Sequence, residues 1–180
     1  MRRPGILIGA IVAFLLGTIG SATADSNRGD DKAKKFRADL KGFEEIPTLS
    51  TPGTGRFEAR LSHDGQSVDY ELEYQDTESD VLQAHIHLGA PAFNGGIMVF
   101  LCSNLVDPAP PPGTQPCPAS GGIIQGTFSA ANVIGGAAAQ GVSPGEFEEV
   151  IRAMRAGAAY ANVHTETRPG GEIRGQINND

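Results

Sequence analysis

One stretch near the end of the chain decides the fold: NVHTETRPGGEIRGQI, residues 162–177. It has the pattern of a strand end, a Pro-Gly-Gly turn and the start of a second strand, with His, Glu and Arg placed around the turn. Its counterpart is AHIHLG, residues 84–89, where two more histidines lie in an apolar, strand-like setting. These two segments hold three of the four histidines. We therefore expect any chemistry of the chain to lie where they meet.

Alternation of apolar and polar residues predicts strands on both sides of these segments. An Asp-Gly turn at 64–65 joins two of them into a hairpin. The predicted strands cover residues 36–41, 57–61, 68–74, 82–88, 97–102, 122–128, 160–165 and 172–177. Seven or eight short strands with many Gly and Pro turns are typical of an all-β, antiparallel sandwich or barrel with Greek-key-like connections.

One short helix is predicted near residues 144–156, as a cover for the sheet. Ser143 and Glu146 fit a capping box, with Pro144 at the first helical position. Four apolar residues then follow at helical spacing, and Gly157 ends the segment. They are Phe147, Val150, Ile151 and Met154.

The first 24 residues differ from the rest in composition and predict a cleavable signal peptide. Two arginines precede an uncharged, mostly apolar run from Gly5 to Gly20, and Ala22-Thr23-Ala24 predicts cleavage after Ala24. A retained anchor is the alternative, but the run is shorter than the roughly 20 residues that span a bilayer. Residues 25–35 form a polar lead-in, and 36–178 are expected to fold as one domain. We thus predict a secreted or periplasmic protein with no membrane span after signal removal.

Net charge limits the possible binding partners, and the two cysteines predict a disulfide. The formal net charge is −7, and removing a signal with two arginines and no acidic residue leaves −9. An acidic surface argues against nucleic acid and anionic membranes as partners. The two cysteines, Cys102 and Cys117, are expected to form a disulfide across a proline-rich loop in an exported protein. Two free thiols or a cysteine metal site remain alternatives.

Several separate motifs resemble the CHRD domain, a module that is repeated in chordin and also occurs singly in exported bacterial proteins. The resemblance covers about residues 36–178 and implies a β-rich extracellular module, whereas bacterial single-domain members have no well-defined activity. Growth-factor binding, which belongs to the protein around the domain in chordin, does not carry over. The matching motifs are FRADL (36–40), EEIP (44–47), GTG (53–55), LQAHIHLG (82–89), NG (94–95), GAAYANVHT (157–165) and PGGEIRGQI (169–177).

The histidines are the candidate site. His85 and His87 alternate on one strand, so their imidazoles share a side and lie roughly 7 Å apart along it. With His164 from a neighbouring strand they would form a three-nitrogen site suited to copper or zinc. The fourth histidine, His63, is expected to be a solvated turn residue.

A buried polar network is the alternative to a metal site. In it the imidazoles bond to polar side chains or backbone carbonyls, since buried polar groups need partners. Arg174 is expected to pair with Glu172 or to anchor backbone carbonyls. The other members of this structural network are Tyr160 and Asn162.

The sequence favours a function without catalysis. It contains no serine elbow, no HExxH and no phosphate-binding glycine loop. The favoured hypothesis is a secreted or periplasmic CHRD binding or structural module, with an extracellular protein as partner. The alternative is an extracytoplasmic copper- or zinc-binding protein using His85, His87 and His164, and a metal-dependent enzyme at the same cluster has the least support.

Overall fold

A computed structural model describes residues 34–179 of the protein. The predicted signal peptide and most of the polar lead-in lie outside the described residues. Strands and one α-helix make up most of the regular structure in the described part: β1 (Lys35–Lys41), β2 (Thr54–Leu61), β3 (Ser67–Gln75), β4 (Val81–Leu88), β5 (Ile97–Ser103), β6 (Gly122–Ser129), α1 (Phe147–Arg155), β7 (Ala159–Thr165), β8 (Ile173–Gln176) and β9 (Asn178–Asn179).

The strands form a single antiparallel sheet in the order β5-β4-β7-β8-β1-β2-β3-β6, with the short β9 paired to β1. The two end strands, β5 and β6, approach each other. The Tyr70 hydroxyl of β3 reaches across this gap and donates to the Leu101 carbonyl of β5, at 2.8 Å. The sheet is therefore a nearly closed eight-stranded barrel or sandwich, which confirms the predicted all-β fold.

The core lies inside this barrel and follows the alternation in the sequence. Phe36, Ala38 and Leu40 of β1 are buried while their neighbours are exposed, and β2 and β3 repeat the pattern. Burial of each large apolar side chain stabilises the fold by roughly 1.5–3 kcal/mol. The predicted hairpin joins β2 to β3 through Gly65, whose φ of 72° suits glycine.

Strand β7 departs from this alternation because all seven of its residues are buried. Its inward residues, Ala159, Ala161 and Val163, are small or medium in size and pack in the barrel core. Its outward residues are polar, so loops outside the barrel must cover them. The outer face of β7 is therefore a second buried region, separate from the apolar core.

The single α-helix is present but begins later than the capping box predicts. It runs from Phe147 to Arg155, with Glu146 at the N-cap. The Glu146 carboxylate does accept a hydrogen bond from the Ser143 backbone N–H, at 2.6 Å. However, Gly145 has a φ of 85°, which is not helical, so this bond closes a turn ahead of the helix.

Cys102 and Cys117 form the expected disulfide, and their Cα atoms are 5.1 Å apart. The bond closes an irregular, proline-rich loop. The Asn104 side chain ties the same loop to the barrel by donating to Val81 and Cys117 carbonyls, at 2.8 and 3.0 Å. Among the described residues, no helix is long and apolar enough to cross a membrane.

Candidate metal centre

Strands β4 and β7 bring three histidines together on the outer face of the barrel. They are antiparallel neighbours, with Gln83 opposite His164 and His85 opposite Asn162. Because cross-strand partners point to the same face, His85, His87 and His164 share one side of the sheet. The residues between them, such as Ile86, face the barrel core.

Loops bury this face. His85 is fully buried, and His87 and His164 are each 7% exposed. The loop of residues 89–96 contacts His87, the turn of residues 166–172 contacts His164, and Phe100 packs edge-on against His85 with ring centroids 4.3 Å apart. The three imidazoles are thus removed from water although they lie outside the apolar core. His63, in contrast, is exposed at the β2–β3 turn, as expected.

The three rings converge on one point. The ring centroid of His85 lies 5.4 Å from the ring centroid of His87 and 5.0 Å from that of His164. One nitrogen from each ring can be chosen so that all three nitrogens lie within 4.8 Å of one another.

One nitrogen of each imidazole forms a hydrogen bond to an oxygen acceptor. His87 Nδ1 donates to the Gly95 carbonyl at 2.9 Å, and His164 Nδ1 donates to the Pro169 carbonyl at 3.0 Å. His85 Nε2 lies 3.1 Å from the Gln83 amide oxygen. Because these oxygens only accept, the ring proton is fixed on the nitrogen that faces each of them.

The other nitrogen of each ring therefore carries a lone pair. These atoms are His85 Nδ1, His87 Nε2 and His164 Nε2, all buried and without a hydrogen-bond partner among residues 34–179. Buried polar atoms normally find a partner, so three unpartnered acceptors on three neighbouring imidazoles are unusual. A cation held by the three lone pairs would satisfy all of them at once.

Burial keeps the cluster neutral. It lowers the pKa of His85 well below the usual value, with a further lowering from His164 and His87 nearby. Burial also lowers the pKa of His87 to about 4, although the hydrogen bond to Gly95 raises it in part. The pKa of His164 is lowered by burial for the same reason. Neutral imidazoles are the form that binds metal ions.

This neutrality predicts that the metal-free protein loses stability in mild acid. Unfolded histidine has a pKa near 6.5, so between about pH 6.5 and pH 4 the unfolded state binds more protons at His87 than the folded state does. Stability contributed by neutral His87 is present above pH 6.5 and is lost as the pH falls to 4, by about 3 kcal/mol. Urea unfolding at pH 7 and pH 4 measures it.

Two variants separate this effect from the titration of carboxylates. His87→Gln should reduce the pH dependence, because one of the three buried imidazoles is gone. His63→Ala should leave it unchanged, since His63 is exposed. A pH dependence that is equally steep in His87→Gln would contradict the expectation.

The four side chains expected in the polar network are all buried, but the imidazoles bond to backbone carbonyls and to Gln83 rather than to these four. Asn162 donates to the Glu45 carboxylate at 2.6 Å and to the Ile173 carbonyl at 2.9 Å. Tyr160 alone of the four expected network residues makes a ring contact with a histidine, stacking on His87 at 4.7 Å.

The predicted pairing of Arg174 with Glu172 is wrong. The buried Glu172 carboxylate accepts from Thr51, Thr165 and the Glu78 backbone N–H, whereas Arg174 donates to oxygens of residues 90–94. Glu172 precedes β8, and Gly171 beside it has a φ of 126°, so the alternation of the strand does not extend to Glu172. Arg174 instead anchors a loop, which was the other role expected for it.

Sequence reasoning allowed for backbone carbonyls as partners of the imidazoles but did not identify the groups that orient them. The Gly95 and Pro169 acceptors are backbone carbonyls, which no side-chain pattern reveals. Gln83 stood in the same alternating set as the histidines, so its position two residues before His85 was the available signal. Glu45 lies far away in sequence and becomes a partner of Asn162 only through the fold.

Comparison with known families identifies one match. The family model described as the CHRD domain matches residues 36–177. No curated protein and no solved structure matches the chain.

Proposed function

The chain belongs to the CHRD domain family, and from that premise we propose that it is an exported, non-catalytic binding module that holds a copper or zinc ion on His85, His87 and His164. Family membership supports a non-catalytic binding or structural module. The proposed ion is supported by the histidine cluster and not by family membership.

One observation carries the metal proposal: three buried imidazoles, each with one partnerless nitrogen, offer ring nitrogens within 4.8 Å of one another. In a purely structural network, a donor would be expected to face each lone pair. Here the donors of all three rings point outward to Gln83, Gly95 and Pro169. Hydrogen bonds from the remaining ring nitrogens to carbonyl groups are the usual way in which a protein orients histidine ligands of a metal.

The donor set favours copper or zinc. Imidazole nitrogen suits both ions, and three histidine ligands leave a coordination position for water or another small ligand. Among residues 34–179 no carboxylate or thiol joins the cluster, and both cysteines are in the disulfide. Metal–nitrogen bonds of about 2.0–2.1 Å require the three nitrogens to move closer together than in the present arrangement.

Export is the second part of the proposal. The disulfide fits an extracytoplasmic protein, because thiols are kept reduced in the cytosol. The composition of residues 1–24 supports a cleavable signal peptide.

A CHRD module that binds an extracellular protein and no metal is the second candidate function. It is favoured by Glu172, Asn162 and Arg174, whose hydrogen bonds join loops and strands without involving an imidazole. In this case the cluster would be only part of the architecture.

Metal content distinguishes the two functions. The mature protein, loaded with excess zinc or copper(II) and desalted, should retain one ion per chain by elemental analysis. His85→Ala should retain less than a tenth as much, while the matched control His63→Ala should equal the wild type. Wild-type protein that retains no ion, or His85→Ala that retains the full amount, would refute the metal proposal.

A further inference from the structure

Arg174 is a buried arginine whose hydrogen bonds all go to one loop. It is 2% exposed. Its guanidinium donates to the Asn94 side-chain oxygen at 3.1 Å and to the Ala90 and Phe93 carbonyls at 3.3 and 2.7 Å. These acceptors all lie in the loop of residues 89–96. A single planar fork thus holds that loop against the outer face of the sheet.

The same guanidinium lies on an aromatic stack that ends at a histidine of the cluster. The Arg174 Cζ atom is 3.4 Å from the centre of the Tyr160 ring. Tyr160 is nearly parallel to His87, with an angle of 4° between the rings. Cation–π attraction to Arg174 and stacking on His87 hold the Tyr160 ring in place. The stacked Tyr160 ring in turn holds the plane of the His87 ring.

The loop and the stack meet at Gly95. The Gly95 N–H donates to the Tyr160 hydroxyl at 3.2 Å, and the Gly95 carbonyl accepts the His87 Nδ1 proton. A Cβ atom at Gly95 would lie 1.5 Å from the Leu88 carbonyl oxygen, so only glycine allows the loop to come this close. The position of the Gly95 carbonyl therefore depends on how the loop is held.

We propose that Arg174 is a positioning residue for the metal ligand His87. It holds the loop so that Gly95 keeps the His87 proton on Nδ1, and it holds Tyr160 so that the ring plane is fixed. The Nε2 lone pair is then directed at His85 and His164 before any ion arrives. The expected effect of Arg174 on metal affinity rests on the proposed metal-binding function, but the orientation of His87 can be measured without metal.

The first measurement is the tautomer of His87 in metal-free protein. Long-range ¹H–¹⁵N correlation spectra at pH 7.5 distinguish a proton on Nδ1 from a proton on Nε2. In the wild type, His87 should carry its proton on Nδ1. In Arg174→Met, signals of both tautomers should appear for His87, while His85 and His164 keep theirs because their acceptors lie elsewhere.

The second measurement is zinc affinity by competition with a chromophoric chelator. Loss of a group that orients a ligand costs about 10- to 100-fold in affinity, and we expect this range for Arg174→Met. The matched control is Arg152→Met, the same substitution at an exposed arginine of α1 that forms an ion pair with Glu149. It should stay within twofold of the wild type and should keep the His87 tautomer.

The outcomes separate the two proposals. An unchanged His87 tautomer or an unchanged zinc affinity in folded Arg174→Met overturns the positioning role. Wild-type protein that binds neither zinc nor copper(II) contradicts the proposed function, and the tautomer of His87 alone then decides the role of Arg174.

Arg174→Lys covers the case in which Arg174→Met does not fold. Lysine keeps the positive charge but lacks the planar fork, so it cannot hold the three oxygens in the same way. We expect both His87 tautomers in this variant as well. A single Nδ1 tautomer with zinc affinity equal to the wild type would show that the fork is not needed and would overturn the proposal.

Discussion

Zinc at a thousand times its dissociation constant should raise the free energy of unfolding by about 4 kcal/mol. An ion that binds the folded state and not the unfolded chain stabilises the fold by mass action, and the three ligands come from two strands that are adjacent only after folding. The gain should rise with zinc concentration, by about 1.4 kcal/mol per tenfold increase. Urea unfolding with and without zinc measures it.

His164→Ala should remove this stabilisation, because it deletes the ligand that β7 contributes. His63→Ala should preserve it, since His63 is exposed at a turn away from the cluster. Equal stabilisation in His164→Ala would mean that zinc binds elsewhere on the protein. No stabilisation of the wild type by either zinc or copper(II) at millimolar concentration would contradict the proposed site.

Glu172→Ala should lower the free energy of unfolding by about 4 kcal/mol, with or without metal. The fully buried carboxylate accepts from the Thr51 hydroxyl at 2.6 Å, the Glu78 backbone N–H at 2.9 Å and the Thr165 hydroxyl at 2.7 Å. A buried donor left without an acceptor costs about 1–3 kcal/mol, which applies in full to Thr165, whereas the partly buried Thr51 hydroxyl and Glu78 N–H can bond to water and add less. Urea unfolding gives the difference.

Glu166→Ala is the matched control for this prediction. It makes the same substitution on the same turn, but at an exposed side chain, so its effect should stay within about 0.5 kcal/mol. A loss below about 1 kcal/mol in Glu172→Ala would show that the three segments around Glu172 hold together without the carboxylate.

The fold could be predicted from the sequence wherever one face of a strand meets the core and the other meets water. In β1, Phe36, Ala38 and Leu40 are buried and the residues between them are exposed, so the alternation of apolar and polar residues predicts which face is buried. The start of α1 could not be predicted in the same way. The Ser143 and Glu146 pair stabilises a turn as well as a helix, and the backbone of Gly145 decides between them.

The site was predictable in part. The spacing of His85 and His87 places both on one face of any strand, and His164 lies on the strand paired with them. The burial of the three histidines could not be predicted from their spacing in the sequence, because it comes from loops that fold over the outside of the barrel. The error over Arg174 and Glu172 has a related cause: alternation predicts faces within a strand, and Glu172 lies just outside one.

The pairing of β4 with β7 also determines when and where an ion can be acquired. His164 lies on β7, so the cluster does not exist until β7 has been synthesised and has paired with β4. A chain exported in an unfolded state would cross the membrane with no assembled ligand set. If the cluster binds an ion as proposed, that ion would come from the compartment where folding is completed.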